Sequence, residues 1–350
     1  MLKDLRGLSR QNMNNIFNEL GEPGFRAEQL FLWVHKHGAG SIDEMTNLSL
    51  NLREKLKGRT KIYKPRLLKK QISKRDKTTK LLIQLEDGHP VETVIMPHEI
   101  KKTKCTVCIS SQVGCPVGCP FCASGAAFER NLTTGEIISQ VILANNIAND
   151  EGRLVTNIVF MGMGEPLLNL DAVLKAVEIF NDPLGLCISQ RRIVISTSGY
   201  VPGIIRLAGE KLQIVLAVSL HSAVDIIRDT LVPLNKKYPI EQLKEACRYY
   251  NNMTGRRITI EYALINNTND SEMHAKKLIE FADQLLANVN IIPLNPTNGP
   301  YKSSSEKQIE SFVSTLKSRG VETSIRKERG QDIHGACGQL RSTYIGLPGE

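Results

Sequence analysis

No run of this chain approaches the roughly 20 consecutive apolar residues that a membrane-spanning helix requires, which excludes a helical membrane protein. The opening Met1-Leu-Lys-Asp-Leu-Arg6 lacks the apolar core of a secretory signal. Aromatic residues are scarce at 5%, and the single Trp33 falls in the apolar stretch Leu30-Phe-Leu-Trp-Val34. There it reads as core and not as a platform for bases. Acids are the minority charge: 36 Asp and Glu face 45 Lys and Arg, a net +9 that favours polyanionic partners. A disulfide scaffold is also missing. The 8 cysteines in 350 residues, several crowded into one loop, suit a reducing compartment and metal or redox chemistry. The expectation is a cytoplasmic globular protein, long enough for one large α/β domain or two.

What is present is concentrated in the loop Cys115-Pro-Val-Gly-Cys119-Pro-Phe-Cys122, a C-x3-C-x2-C run with glycines at 114, 118 and 125. Three thiolates this close can hold a metal or cluster, and glycines let the backbone curl around it. Cysteine thiolates are the usual ligands of iron–sulfur clusters, and three of them leave one iron of a [4Fe–4S] cube open to a small molecule. A structural zinc site is the alternative. It is normally closed by four ligands, which Cys108 or the Cys105-x-x-Cys108 pair could complete.

Charge is uneven: eight Lys or Arg lie between Lys64 and Lys80 against the one acid Asp76, and Lys101, Lys102 and Lys104 follow. This basic stretch leads directly into the cysteine loop, where it reads either as a solvated hairpin or as phosphate contacts. Residues 1–58 read as a helical domain, with apolar periodicity over 10–20, 27–37 and 48–56. Residues 59–104 read as a basic β-hairpin linker, alternating at 80–85 and 91–96 across Asp87-Gly88.

From residue 105 to 350 strands alternate with helices. Strand candidates are 105–111, 157–163, 192–198, 212–219, 257–264 and 288–294, with a possible extra one at 321–326. Helical patterns occupy 133–148, 169–181, 202–209, 239–252, 270–287 and 304–319, the first signalled by Thr134 with a carboxylate close behind. The pattern predicts an α/β fold with a parallel sheet, and six units suit an open partial (β/α)6 barrel better than a closed eight-stranded one. Ligands in such folds sit at the carboxyl ends of strands. The cysteine loop follows the first strand, and four further tips carry polar groups: Gly162-Met-Gly-Glu165, Ser196-Thr-Ser-Gly199, Ser219-Leu-His221 and Pro293-Leu-Asn295.

The chain resembles the RlmN/Cfr family of radical S-adenosylmethionine RNA methyltransferases, and its RlmN branch in particular. The matching residues are Leu20-Gly-Glu-Pro-Gly-Phe-Arg-Ala27, Asp43-Glu-Met-Thr-Asn-Leu48, Val91-Glu-Thr-Val94, Cys108-Ile-Ser-Ser-Gln-Val-Gly-Cys115, Phe160-Met-Gly-Met-Gly-Glu-Pro166, Ile195-Ser-Thr-Ser-Gly199, Val218-Ser-Leu-His221 and Ala336-Cys-Gly-Gln-Leu340. The three-cysteine run alone carries only the superfamily; the segments before Cys115 and around Cys337 make the match specific.

The resemblance implies methylation of adenine carbon 2 in 23S rRNA and in tRNA, with two molecules of S-adenosylmethionine consumed per methyl placed. Cys115, Cys119 and Cys122 would hold a [4Fe–4S] cluster. Gly164, Glu165, Ser196, Ser219, Leu220, His221 and Asn295 would contact S-adenosylmethionine, with Glu165 on its ammonium. Cys337 would carry the methyl, Cys108 would resolve the adduct through a transient disulfide, and Glu92 would accept the ring proton. Without the resemblance Glu92 reads as an exposed hairpin acid. Residues 1–58 would be an RNA-binding accessory domain, a flavodoxin or ferredoxin system would supply electrons, and the protein would act as a monomer. The same residues would also serve a Cfr-like carbon-8 methyltransferase. A zinc-stabilised RNA-binding module without enzymatic activity is the alternative from another class.

Cys187 and Cys247 read as inert buried thiols, and Cys105 is left without a role. One departure stands near Cys337: the run Asp332-Ile-His-Gly-Ala-Cys337 has His334 where the family carries an acid, so substrate positioning there is expected to differ. Pro116 and Pro120 stiffen the cysteine loop without removing a ligand.

Overall fold

The computed structural model describes residues 2–296 and 300–340. The N-terminal segment forms α1 (Arg10–Glu19), α2 (Phe25–Phe31) and α3 (Leu50–Lys57), with a π-helical turn extending α2 over Leu32–Lys36. Ser9 caps α1 and Ser49 caps α3, each accepting an amide N–H of the first turn. Strand β1 (Lys3–Asp4) pairs with β2 (Thr60–Lys61) and closes the segment on itself. Arg6, almost fully buried, donates to the carbonyls of Val34, Gly38 and Ala39 and so ties the chain's start to the end of α2. Trp33 packs against the core as expected, its indole N–H donating to Asn47.

The main element is a ten-stranded sheet. β3 (Arg66–Ile72), β4 (Thr79–Gln84) and β5 (Pro90–Pro97) run antiparallel into β6 (Lys104–Cys108). A small ribbon, β7 (Gln112–Gly114) with β8 (Phe128–Asn131), frames the cysteine loop. From β6 the sheet continues in parallel through β9 (Leu154–Phe160), β10 (Ile193–Thr197), β11 (Val215–Ser219), β12 (Ile258–Leu264), β13 (Ala287–Pro293) and β14 (Thr323–Ile325). Seven parallel strands joined by helices are the expected partial barrel, with the possible strand near 321–326 realised as β14.

The connecting helices are α4 (Thr134–Asp150), α5 (Leu170–Asn181), α6 (Val201–Gly209), α7 (Asp225–Leu231), α8 (Ile240–Thr254), α9 (Glu272–Ala282) and α10 (Glu306–Ser318). Three differ from expectation. The cap of α4 is Thr133, one residue before the expected Thr134, and Glu136 completes a capping box with it. The turn after α9 begins at Asp283 and Gln284 takes a φ of 61°, so the helix stops short of 287. α7 follows the Ser219–His221 tip, where no helix was expected.

The segment expected to be a linker is built into the sheet: β3 is a third strand beyond the two read from alternation, and β5 pairs with β6, the first strand of the barrel. The N-terminal segment is pressed against the same body. Gly135, in the first turn of α4, has no Cβ because Asp4 Oδ2 lies 2.0 Å from where one would be. No helix among the described residues is long and apolar enough to cross a membrane.

Candidate active site

The cysteine loop leaves the tip of β6 and folds over the carboxyl ends of the parallel strands. Cys115, Cys119 and Cys122 line one cavity, with Val117 and Phe121 as its apolar floor. Its opposite walls come from Gly164, Glu165, Ser196, Ser219, His221 and Asn295, so six of the seven residues expected to hold S-adenosylmethionine face the three thiols. The space, open mouth included, is about 1030 Å³, ample for a drug-sized ligand. Leu220 is the exception: its side chain is buried in the main core, and only its carbonyl reaches the tip, where it accepts the Arg228 Nε–H at 3.0 Å.

Burial pushes the three thiols up, Cys115 to about 12 and Cys119 well above its ordinary value, so metal-free they stay protonated. Buried thiols in apolar surroundings are inert unless a metal makes the thiolate the favoured form. Among the described residues no three His, Cys, Asp or Glu side chains converge tightly enough for one metal ion. Three thiols on one cavity leave a fourth ligand position to a small molecule, as a [4Fe–4S] cube held by three cysteines would, whereas a closed zinc site takes four protein ligands.

The walls are held in place by polar bonds that leave little freedom. Gly164, at a φ of 108°, sits where a Cβ would meet Gln112 at 2.7 Å, which brings the β9 tip against the ribbon. Glu165 Oε2 accepts both the N–H and the hydroxyl of Ser198 at 2.7 Å, and Oε1 accepts Leu167 N–H at 3.1 Å. Burial raises its pKa and these donors oppose the rise. Glu165 thus ties the β9 tip to the β10 tip and still faces the cavity with a carboxylate. Ser196 and Ser219 approach within 3.4 Å, hydroxyl to hydroxyl. His221, with a φ of 56°, accepts Ala263 N–H on Nδ1 at 3.0 Å, so its Nε2 carries the proton. Burial, with Arg228 next, pushes its pKa down to about 3; the ring is a neutral donor at physiological pH. It stands edge-on to Phe121.

Two arginines that sequence reasoning passed over organise this edge. Arg228 of α7 is completely buried and donates to the Leu220 and Ser198 carbonyls and to Asn235 Oδ1, joining the tips of β10 and β11; its charge also reaches Cys119. Arg326 follows β14 and lines both this cavity and a second one. It lies 3.8 Å from Glu261 and 3.6 Å from Met161 Sδ. Being at a strand tip, Arg326 was within reach of the rule that found the others.

The second cavity contains Cys108 and Cys337 together, with Met161, Asn295 and Arg326. Cys108 is pushed up to about 12 by burial and by Cys337, while Arg326 pulls the other way. The Cys337 loop is fastened from several sides. Asn295 Nδ2 donates to the Cys337 carbonyl at 3.0 Å, Ala123 N–H to Gly338 O at 2.8 Å, and the Ser124 hydroxyl to Leu340 O at 2.6 Å. Glu92 is not an exposed hairpin acid: it is 4% exposed, lies on the same face of β5 as Val94, and pairs with Lys80 at 3.1 Å. Val94 is the register partner of Cys108, so Glu92 and Cys108 share one side of the sheet. Lys80 also donates to His334 O at 3.2 Å. Glu92 lines neither cavity.

Other cysteines sort by face. Cys105 points to the opposite side of β6, in the main core with its thiol on Leu154 O, and so is kept from Cys337. Cys247 is buried as expected, whereas Cys187 is exposed, in the loop after α5 at a φ of 52°. The His334 side chain is exposed and the residue is held through its backbone, its carbonyl accepting from Lys80 Nζ and its N–H donating to Gln331 O at 3.1 Å.

The arrangement agrees with what the chain is similar to. Residues 3–62 match the ribosomal RNA large subunit methyltransferase N-terminal domain, and residues 109–279 match the radical SAM superfamily. The chain is 44% identical over 350 residues to a probable dual-specificity RNA methyltransferase RlmN of Syntrophomonas wolfei, covering 98% of each. It is 47% identical to the one from Moorella thermoacetica, covering 97% of each. Among solved structures, a radical SAM methyltransferase from Sphaerobacter thermophilus superposes with a TM-score of 0.92 at 43% identity, covering 97% of this chain and 99% of that one. With three thiols facing a ligand-sized cavity on a partial barrel, and relatives matched nearly end to end, the chain belongs to the RlmN family of radical S-adenosylmethionine RNA methyltransferases.

Proposed function

We propose that this enzyme methylates carbon 2 of adenosine in 23S rRNA and in tRNA, through a methyl group carried on Cys337. It works in the cytoplasm as a monomer, with a flavodoxin or ferredoxin system supplying electrons; its eight free cysteines fit a reducing compartment. The observation that carries the reading is the placement of Cys337. Its loop is bonded to the cysteine loop on one side and to Asn295 on another, while its thiol shares a cavity with Cys108.

Cys115, Cys119 and Cys122 would hold the [4Fe–4S] cluster beside the strand tips that take S-adenosylmethionine. When bound, the two supply an electrophilic methyl group and, after one-electron reduction, a carbon radical able to remove hydrogen. The residues of the chain do the rest. Cys337 Sγ accepts the methyl by displacement and presents it to the adenine ring, whose carbon 2 carries no lone pair and cannot attack a methylsulfonium itself. Glu92, its charge balanced by Lys80, receives the ring proton once the carbon–carbon bond has formed. Radical addition leaves one unpaired electron on the ring, which passes back to the electron-transfer system. Cys108 Sγ then attacks Cys337 Sγ. The sulfur–sulfur bond forms as the sulfur–carbon bond breaks, the electron pair and a proton pass to the departing carbon to make the methyl group, and two-electron reduction by a cellular thiol restores both cysteines. Because burial keeps Cys108 protonated, the neighbouring Arg326 is the group that favours its thiolate at the moment of attack.

The test begins with protein purified without oxygen. A brown protein with about four irons per chain, lost when Cys115, Cys119 or Cys122 is replaced, establishes the cluster. Digested RNA product should co-chromatograph with 2-methyladenosine. Migration with 8-methyladenosine would move the site of attack to carbon 8, and a colourless zinc protein would end the radical reading.

A further inference from the structure

The basic run between β3 and β4 and the loop carrying Cys337 are joined by hydrogen bonds. The turn Ser73–Thr78 is rigid. Ser73 N–H donates to Thr78 O at 2.8 Å, Ser73 Oγ accepts the N–H groups of Arg75 and Asp76 at 3.2 Å, and Asp76 Oδ1 accepts Thr78 N–H at 2.9 Å. Lys77 is held at a φ of 62°, a left-handed conformation that a lysine adopts only when its surroundings impose it. The outward side of this turn shows Lys74, Arg75 and Lys77, all exposed.

Its inward side grips the other loop. Asp76 Oδ2 accepts Gly330 N–H at 3.0 Å and Lys74 N–H donates to Asp332 Oδ2 at 3.1 Å, while Lys80 Nζ, just beyond the turn in β4, donates to His334 O at 3.2 Å. The fit is close enough that a Cβ on Gly330 would meet Thr78 at 2.8 Å. Burial favours the protonated form of Asp76, but the Thr78 and Gly330 N–H donors outweigh it and hold its pKa below the usual carboxylate range. The loop is compact between grip and thiol, since Gly335 N–H bonds back to Gly330 O at 2.8 Å. A displacement of the turn is therefore passed on to Cys337 and not absorbed on the way.

We infer that the turn Ser73–Thr78 docks the RNA backbone through Lys74, Arg75 and Lys77 while its Asp76 sets the position of the Cys337 loop, so that one rigid element registers the RNA against the methyl-carrying thiol. This rests on the reading that the substrate is RNA methylated from Cys337. The cations are phosphate-binding residues and Asp76 is a positioning residue; neither touches the reacting atoms.

The experiment uses cluster-loaded protein and an unmodified tRNA transcript, with three readouts: RNA affinity as a function of salt, methylation of Cys337 by S-adenosylmethionine without RNA, and single-turnover transfer at saturating RNA. Replacing Lys74, Arg75 and Lys77 together by Ala should weaken binding on the order of tenfold. It should also flatten the slope of log K against log salt by about 2, as expected for three lost phosphate contacts at roughly 0.7 each. RNA-free methylation of Cys337 should be unchanged in that variant. Asp76→Ala should leave affinity and salt slope within twofold of wild type and slow single-turnover transfer at least tenfold, with Asp76→Asn intermediate. An unchanged salt slope in the triple variant, or undiminished transfer in Asp76→Ala, overturns the proposal and leaves the RNA reading intact. Parallel loss of melting temperature, affinity and transfer in Asp76→Ala makes the turn a brace only and also overturns it. A wild-type enzyme that binds the transcript without salt dependence overturns the RNA reading itself.

Discussion

Cys108 and Cys337 share a cavity, yet on sequence 228 residues separate them from direct comparison, and Cys337 alone reads as an inert buried thiol. Their pairing is legible only through resemblance to the family, because no local pattern encodes a contact made by a loop returning from the far end of a sheet. Cys108→Ala should leave methylation of Cys337 and addition to RNA intact but block release. Denaturing gels should then show RNA retained on the protein, and peptide mass spectrometry should map the adduct to Cys337; normal turnover would assign resolution to another thiol. Glu92 is proposed as a site residue only on the same resemblance, and the structure supplies the reason its surface reading fails: it is buried against Lys80. Glu92→Gln should keep iron content and RNA affinity while product formation falls about 100-fold or more, the range general-base removal brings. Arg228 was not legible at all. A lone arginine in an otherwise ordinary helix gives no sign that its guanidinium will be buried among four acceptors.

The parallel strands were read from sequence to within a few residues, because an apolar strand covered on both faces leaves an unbroken hydrophobic run. The antiparallel side was harder. β3 carries Lys69, Lys70 and Arg66 on an edge with little burial, so alternation is weak and the third strand was missed. α7 was missed for a related reason: at seven residues it is too short for periodicity to show. The start of α4 was misplaced by one residue, since Thr133 and Thr134 are both plausible caps and only the bond from Glu136 N–H to Thr133 Oγ1 decides between them. Thr133→Ala should therefore destabilise the protein by about 1 kcal/mol, read as a lowered urea midpoint, whereas Thr134→Ala should cost less.

Across the whole molecule the thiols tie stability to pH. Burial pushes Cys247 to about 12 and Cys105 to about 11, above the ordinary value of 9.0. A group whose folded pKa is raised contributes stability that is complete below its unfolded pKa and is lost as pH climbs toward the folded one. Cluster-free protein should accordingly lose stability from about pH 9 upward. Cys247 alone would account for about 2–3 kcal/mol by pH 11, at roughly 1.4 kcal/mol per unit. Urea midpoints at pH 7, 9 and 11 test this. The decline should be shallower in Cys247→Ala, and identical slopes would show that this thiol is not held neutral by the fold.

Among the described residues the ten-stranded sheet does not close, and β3 is its last strand, with no further strand paired to its outer side. Such an edge invites a second chain to add its own strand, and Leu67 and Ile72 lie exposed along it. What guards it is Lys69, Lys70 and a bulge between Leu67 and Lys69, which break the flat, neutral template that aggregation requires. The same lysines that make this end of the molecule basic thereby keep the enzyme from polymerising along its own sheet.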